Sequence, residues 1–150
     1  MTDGAYLLRL AGQEDIQGLV SLLAVLFALE ADFAIDPEKQ ARGLRMLLSR
    51  DDSVVLCVEA GGRVVAMCSA QCLVSTAEGG LSALVEDLVV EEVHRGHGLG
   101  AMLLAGVEAW ARGLGASRLQ LLADKTNRNA LGFYSRMGWA ETRMVCRRKR

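Results

Sequence analysis

The fold is decided by the stretch Val89-Val90-Glu91-Glu92-Val93-His94-Arg95-Gly96-His97-Gly98-Leu99-Gly100, in which an apolar strand passes through a charged connection into a glycine-rich loop. Three glycines at alternate positions permit a tight turn whose backbone N–H groups point toward one centre. The helix predicted to follow has no Ser, Thr, Asp or Asn at its start, so no side chain caps its first N–H groups. Since the positive end of a helix dipole favours an anion, the stretch predicts a phosphate-binding loop. A glycine-rich connector with solvated N–H groups is the alternative.

Length and composition indicate a single globular domain over residues 1–150. The net charge of −1 at pH 7 gives no general attraction to nucleic acid or to a membrane, so we expect neither as a partner. No apolar run reaches the length of a membrane span and the start lacks signal-peptide features, which favours a cytoplasmic location. The cysteines show no metal-ligand spacing, and we expect buried, reduced thiols at Cys57, Cys68, Cys72 and Cys146.

Hydrophobic periodicity predicts a mixed α/β chain. Strands are expected at residues 6–10, 54–58, 63–68, 84–90 and 118–123, with a last strand within 139–147. Helices are expected at residues 16–27, 37–48, 99–114 and 127–137. Gly61-Gly62 suits a tight hairpin, so the second, third and fourth strands form an antiparallel meander. The pattern therefore predicts a mixed sheet flanked by helices.

Two common nucleotide-binding motifs fit the glycine loop poorly. The phosphate loop of nucleotide triphosphatases needs Lys followed by Ser or Thr after its last glycine, whereas Gly100 is followed by Ala101-Met102. Gly96-x-Gly98-x-x-Ala101 satisfies a relaxed dinucleotide fingerprint, but polar residues separate it from its strand and most of the chain precedes it. A nicotinamide-dependent enzyme is therefore the weaker alternative.

A third interpretation rests on two motifs rather than one. Arg95-x-x-Gly98-x-Gly100 is followed, two elements later, by Asn127-x-x-Ala130-x-x-Phe133-Tyr134-x-x-Met137-Gly138-Trp139. Together they resemble the GNAT superfamily of acetyl-CoA-dependent N-acetyltransferases. The resemblance implies a mostly antiparallel central sheet of six or seven strands, about four flanking helices and a splayed fourth and fifth strand pair. Glu92 and Trp139 depart from the family's usual proline and phenylalanine, at positions where we expect no chemistry.

The resemblance also implies where acetyl-CoA binds. We expect no metal, because His94 and His97 flank the loop without a third ligand nearby. The loop and helix start would hold the diphosphate, the end of the preceding strand would bind the pantetheine and polarise the thioester oxygen, and two residues of the last helix region would contact the coenzyme. The implied cofactor-binding residues are Leu88, Val89, Val90, Arg95, Gly96, His97, Gly98, Leu99, Gly100, Ala101, Asn127 and Tyr134.

Proton transfer needs a base and an acid, because an alkylammonium with a pKa near 10.4 cannot attack a thioester at neutral pH. Glu86 matches the strand position where GNAT members often place a catalytic Glu. It shares the strand parity of Leu84 and Leu88, so we expect apolar neighbours that raise its pKa. Asp87 points to the other face and is the second candidate base; a bulge in this strand would alter that parity. Tyr134 matches the family tyrosine that protonates the leaving thiolate.

Acidic residues suggest the acceptor. Glu30, Asp32 and Asp36 lie in the connection between the first two helices, which borders the acceptor site in GNAT folds. Together with Glu86 and Asp87 they favour a cationic small-molecule amine such as a polyamine or an amino acid. The alternatives are acetylation of a protein N-terminus or lysine and a catalytically silent acyl-CoA-binding module. A homodimer is considered as the assembly because a partner subunit can supply a missing last strand.

Overall fold

The computed structural model describes residues 4–150, and the chain contains five strands and four α-helices within that range. The strands are β1 (Leu7–Leu10), β2 (Ser53–Ala60), β3 (Arg63–Ser75), β4 (Gly80–Val90) and β5 (Arg118–Leu121). The helices are α1 (Ile16–Leu29), α2 (Pro37–Leu48), α3 (Leu99–Gly113) and α4 (Arg128–Arg136), and two short 3₁₀ turns span Gln13–Asp15 and Glu92–His94. Within the described range, the residues up to Gln120 form one compact unit and Leu121–Arg150 form a second. A single domain over residues 1–150 stays a prediction.

The strands form one sheet in the order β1-β2-β3-β4-β5. The pairs β1–β2, β2–β3 and β3–β4 are antiparallel. Both glycines of the β2–β3 turn, Gly61 and Gly62, have positive φ angles of 58° and 79°. Ser117, directly before β5, donates its N–H to the carbonyl of Leu81 near the start of β4. Since β5 pairs with β4, the two strands must run in the same direction. The mixed, mostly antiparallel sheet is therefore confirmed.

The number of strands is smaller than predicted. The resemblance implied six or seven strands, whereas the described chain contains five. The strand expected within residues 139–147 does not form, and the described chain has neither strand nor helix after α4. Its apolar residues Met144 and Val145 are 86% and 76% exposed. In this conformation the two side chains contribute little buried apolar area, so little hydrophobic free energy offsets the entropy that the segment would lose as an ordered strand.

Helices cover both faces of the sheet. Val55 and Cys57 of β2 belong to the apolar cluster formed with α1 and α2, whereas Leu56 lies against Gly106 of α3. Successive strand residues point to opposite faces, so α3 packs opposite α1 and α2. The three thiols on strands, Cys57, Cys68 and Cys72, are buried as predicted, but Cys146 is exposed because its segment joins no strand. All four thiols are free.

Candidate active site at the end of β4

Strand β4 contains a bulge at Asp87. Met67 pairs with Val89 and Ser69 pairs with Glu86, so two steps along β3 correspond to three along β4. Asp87 has a φ of 55° and is the one non-glycine residue among residues 4–150 with a positive φ. Aspartate tolerates this left-handed conformation better than most residues because its short polar side chain bonds locally. The bulge changes which side chain of β4 faces the interior.

The bulge reverses the predicted environments of the two acids. Glu86 is exposed, so the expectation that it lies among apolar neighbours is wrong. Asp87 is half-buried instead, and the hydroxyl of buried Ser69 lies 3.2 Å from Asp87 Oδ2. Burial raises the pKa of Asp87 to about 6, and the charges of Glu86 and Glu30 act in the same direction, whereas the Ser69 hydrogen bond opposes them. The burial expected for Glu86 is therefore found at Asp87.

The acidic candidates between α1 and α2 fall into two groups. Glu30 follows α1 directly and is half-buried, and its influence on the pKa of Asp87 shows that it lies within electrostatic reach of the bulge. Asp32 is exposed in the following turn, and Asp36 caps α2 by accepting the N–H of Lys39. Asp36 thus has a structural role, while Glu30, Glu86 and Asp87 share one acidic region.

The glycine loop opens directly into α3. Gly96 and Gly98 have positive φ angles of 80° and 77°, and an added Cβ at either would meet no heavy atom of the described residues within 4 Å. Gly98 occupies the N-cap position and supplies no side chain, while Leu99 is buried and anchors the helix start. The backbone is therefore open at the uncapped positive end of α3, which is the arrangement that suits an anion.

Side chains fix the shape of this loop. Arg95 Nε donates to the carbonyl of Val90 at 3.1 Å. His97 Nδ1 lies 3.1 Å from the carbonyl oxygens of both His94 and Arg95, so it carries the ring proton. Tyr6 Oη lies 3.0 Å from His94 Nδ1. These contacts connect the loop to the end of β4 and to the residue before β1.

The end of β4 offers backbone groups on its outer side. The N–H of Glu91 donates to Val65 of β3, so the N–H and carbonyl of Val90 point away from β3, because these directions alternate along a strand. Ser117 bonds to Leu81, and β5 ends four residues after Ser117, at Leu121. Because β4 and β5 run in the same direction, the end of β5 lies beside about residue 85 of β4. Leu88, Val89 and Val90 therefore extend beyond β5, which agrees with the predicted splayed strand pair.

Residues 121–150 contain the other two candidates. Asn127 Oδ1 accepts the N–H of Ala130 at 3.1 Å and caps α4, as its position predicted. Tyr134 lies on α4, half-buried, with its ring centroid 5.4 Å from that of Phe133 and 6.4 Å from that of Trp139. Contact of either residue with a coenzyme stays a prediction.

Three further observations concern possible metal, membrane and nucleophile sites among the described residues. Within residues 4–150, no group of three or more His, Cys, Asp or Glu residues is arranged to hold a metal ion. None of the helices in that range is long and apolar enough to cross a membrane. Cys68 lies beside the bulge, but burial raises its pKa to about 12, so at neutral pH it is a thiol and a poor nucleophile.

Neither Tyr6 nor Ser69 is marked as a functional residue by the sequence pattern. Ser69 lies on β3 opposite the bulge and Tyr6 is 88 residues from His94 along the chain. No local motif marks either residue, because each makes its contact with a segment that is distant along the chain. The β-rich pattern of residues 63–68 could at most have indicated that β3 supplies a neighbour for Glu86 and Asp87.

The sequence matches a known family profile over most of its length. The profile of the acetyltransferase (GNAT) family matches residues 22–139. An uncharacterized N-acetyltransferase from Methanocaldococcus jannaschii is 24% identical over 142 residues, which cover 93% of this chain and 63% of that protein. The chain thus spans less than two thirds of the length of this curated relative.

Solved structures share the fold. A transcriptional regulator from Bacillus halodurans superposes with a TM-score of 0.86 at 20% identity, covering 97% of this chain and 99% of that one. An aminoglycoside N-acetyltransferase in complex with CoA gives a TM-score of 0.85 at 17% identity, covering 98% and 96%. At these identities the likeness establishes the common architecture and confirms the predicted fold class.

Proposed function

Because the chain belongs to the acetyltransferase (GNAT) family, we propose that it transfers the acetyl group of acetyl-CoA to the primary amine of a small molecule. The amine nitrogen attacks the thioester carbon directly, so an amide bond forms as the carbon–sulfur bond breaks. The observation that carries this proposal is Asp87, a carboxylate with a pKa raised to about 6 at the end of the strand that leads into an open, uncapped helix start.

The backbone near α3 fits a diphosphate. Gly96 and Gly98 leave open space above the loop, and the first N–H groups of α3 have no side-chain cap. The proposed diphosphate contacts are Arg95, Gly96, His97, Gly98, Leu99, Gly100 and Ala101. Acetyl-CoA supplies the acyl thioester, and the protein contributes oriented N–H groups that favour negative charge.

The end of β4 is proposed to bind the pantetheine arm. Leu88, Val89 and Val90 extend past β5, and the Val90 N–H points outward, so an extended ligand can pair with this edge as another strand would. An outward N–H here also polarises the thioester oxygen, as in an oxyanion hole. Because Arg95 already donates to the Val90 carbonyl, the N–H is the more available group.

Asp87 replaces Glu86 as the proposed base. A carboxylate whose pKa is about 6 is mostly ionised at neutral pH, yet it accepts a proton more readily than an ordinary aspartate. Glu86 is exposed and adds negative charge beside it. We therefore assign to Asp87 the removal of a proton from the ammonium and to Glu86 an electrostatic role.

The same region supports a cationic acceptor. Glu30 acts electrostatically on Asp87, and Asp32 lies two residues further along the connection between α1 and α2. Three carboxylates, Glu30, Asp32 and Asp87, favour a positively charged ligand over a neutral or anionic one. This supports a small polyamine or amino-group substrate.

Tyr134 is proposed as the acid that protonates the leaving thiolate, and Asn127 as a coenzyme contact in addition to its capping role. Both proposals rest on the match between the family motif and residues 127–139. Unchanged turnover in a Tyr134→Phe variant would remove Tyr134 from the mechanism.

The proposed function is tested by measuring free thiol released from acetyl-CoA with a panel of amines. We expect release with one or more small cationic amines and none without an acceptor. Release with peptides alone would indicate a protein N-terminal or lysine acetyltransferase. Calorimetric binding of CoA without turnover on any amine would indicate a silent acyl-CoA-binding module.

Location and assembly are further proposals. Three of the four free thiols are buried, which is typical of proteins that work in the reducing cytoplasm. A homodimer is proposed as the assembly, and light scattering of the purified protein would exclude it by giving the mass of one chain.

A further inference from the structure

Tyr6 joins the residue before β1 to the glycine loop. Its hydroxyl lies 3.0 Å from His94 Nδ1. Its ring centroid lies 5.7 Å from that of His94 in an edge-on contact with an interplanar angle of 87°, and 5.7 Å from that of His97 at 53°. One aromatic side chain from outside the loop therefore contacts two histidines on it.

The two histidines in turn contact the loop backbone and, through Glu91, the strand β3. His97 Nδ1 donates to the carbonyl oxygens of His94 and Arg95, which precede the first glycine of the loop. His94 Nε2 lies 3.7 Å from Glu91 Oε2, and Glu91 is paired with Arg63 of β3 at 2.8 Å. The network is therefore continuous from Tyr6 through the loop to β3.

The loop needs such contacts because its own sequence gives it little rigidity. Gly96 and Gly98 adopt positive φ angles, and glycine loses more conformational freedom on ordering than any other residue. If a loop becomes ordered only on binding, it loses this entropy at that moment, and its affinity for the ligand is lower. Contacts that hold the loop in place beforehand remove part of this cost.

We infer that Tyr6 is a positioning residue, which preorganises residues 94–98 to receive the diphosphate of the coenzyme. The inference rests on the proposed function of this loop. Tyr6 acts through the histidines: its hydroxyl fixes the imidazole of His94, and its ring packs against that of His97. The ligand itself is held by the loop backbone.

The test compares Tyr6→Phe, which keeps the ring and removes the hydroxyl, with the wild-type protein in calorimetric titrations with CoA. We expect the Kd for CoA to rise about 3- to 10-fold, the loss typical of one net hydrogen bond. In turnover assays the change should appear in KM for acetyl-CoA rather than in kcat. An equal Kd in the two proteins would overturn the inference.

Arg9→Gln is the matched control on β1. Arg9 pairs with Asp15 at 2.7 Å and with Glu59 at 2.8 Å, away from the loop. Its loss should lower the Tm of the protein and leave the Kd for CoA unchanged. If Tyr6→Phe and Arg9→Gln weaken CoA binding alike, Tyr6 has only a general structural role and the inference fails.

Two further variants test the route through His94. Asn retains a polar group close to the position of Nδ1, so His94→Asn should keep most of the CoA affinity, whereas His94→Leu should weaken it as Tyr6→Phe does. In the His94→Leu background, adding Tyr6→Phe should have no further effect. Fully additive effects would contradict the proposed route.

Hydrogen exchange in the ligand-free protein separates this inference from the proposed function. Amide exchange at residues 96–98 should be faster in Tyr6→Phe than in the wild type, and unchanged exchange there would overturn the positioning role. If the wild-type protein gives no binding heat with CoA, the proposed function fails, whereas the exchange comparison still decides whether Tyr6 orders the loop.

Discussion

At the residue scale, the chemistry depends on one extra residue in β4. The bulge turns Asp87 toward Ser69 and leaves Glu86 exposed, although alternation along a regular strand assigns the opposite environments. A half-buried carboxylate with a positive φ is costly to fold. Costs of this kind are commonly found at functional sites, and two predictions follow for Asp87.

Asp87→Asn is expected to lower kcat/KM for the amine about 10²- to 10⁴-fold, because it removes the base while keeping the size and the tolerance of a positive φ. Glu86→Gln is the matched control and should cost less than tenfold. The wild-type kcat/KM should rise with pH through about 6, where Asp87 loses its proton, and this step should be absent in Asp87→Asn. A pH–rate profile of both variants checks this; a larger loss in Glu86→Gln would reverse the assignment.

Asp87→Asn is also expected to stabilise the fold at alkaline pH. The folded-state pKa of Asp87 is raised to about 6 from 3.8, so the folded state holds this proton more tightly than the unfolded state. Its contribution to stability is therefore full below about pH 4 and is lost as the pH rises to about 6. At pH 8 the variant should be more stable by roughly 1–3 kcal/mol, with no gain at pH 4. Urea titrations at both pH values measure this, and equal stability at pH 8 would contradict it.

At the element scale, β4, the glycine loop and α3 form one continuous unit. β4 extends past β5 and presents an outward N–H at Val90, and eight residues separate that position from the start of α3 at Leu99. Gly98 serves as the N-cap without a capping side chain. The strand edge and the positive end of the helix are therefore both available to bind a single ligand.

Gly98→Ala is expected to weaken CoA binding at least tenfold. Its φ of 77° costs a non-glycine residue about 1–2 kcal/mol, and relief of that strain moves the N–H groups of the helix start. The added methyl group also enters the open space above the loop. Calorimetry with CoA measures the effect.

Gly113→Ala provides the control within α3. Gly113 is the last residue of the helix, and an added Cβ would meet no heavy atom of the described residues within 4 Å. Alanine there should stabilise the protein by about 0.5–1 kcal/mol and leave the Kd for CoA unchanged. Similar loss of affinity in both variants would mean that the loop is not the diphosphate site.

At the scale of the whole molecule, the sheet of the N-terminal unit is held between helices that approach it closely. Gly18 of α1 lies so near β3 that an added Cβ would be 2.5 Å from Val64 Cγ2. Gly106 of α3 approaches Leu56 and Leu8 on the opposite face. These small residues set the distances between layers, and the layers in turn hold β4 in place.

Gly18→Ala is expected to destabilise the protein by about 1–3 kcal/mol, although alanine has the higher helix propensity. Val64 is β-branched and has few alternative rotamers, so it cannot move aside easily. Val64→Ala in the same chain should recover part of the loss by making room. Thermal unfolding of the two single variants and the double variant measures this, and a more stable Gly18→Ala would show that the layers are not in close contact here.

Patterns of residues along the chain were sufficient to predict the order of the elements through β5 and α4, the hairpin at Gly61-Gly62 and the glycine loop at the start of α3. Hydrophobic periodicity, glycine conformation and motif spacing are properties of consecutive residues, so they can be recognised without a structure. These signals also indicated the family, which the match of the family profile to residues 22–139 confirms.

Three features became visible only in three dimensions: the bulge at Asp87, the contact of Tyr6 with His94 and the absence of a strand at residues 139–147 within the described chain. Each depends on which distant segment lies beside the residue. A bulge arises when two strands pair out of step, the tyrosine meets a histidine 88 residues away, and an apolar run becomes a strand only when a neighbour buries it. Such contacts depend on how distant segments pack together, and patterns of consecutive residues do not reveal which segments will meet.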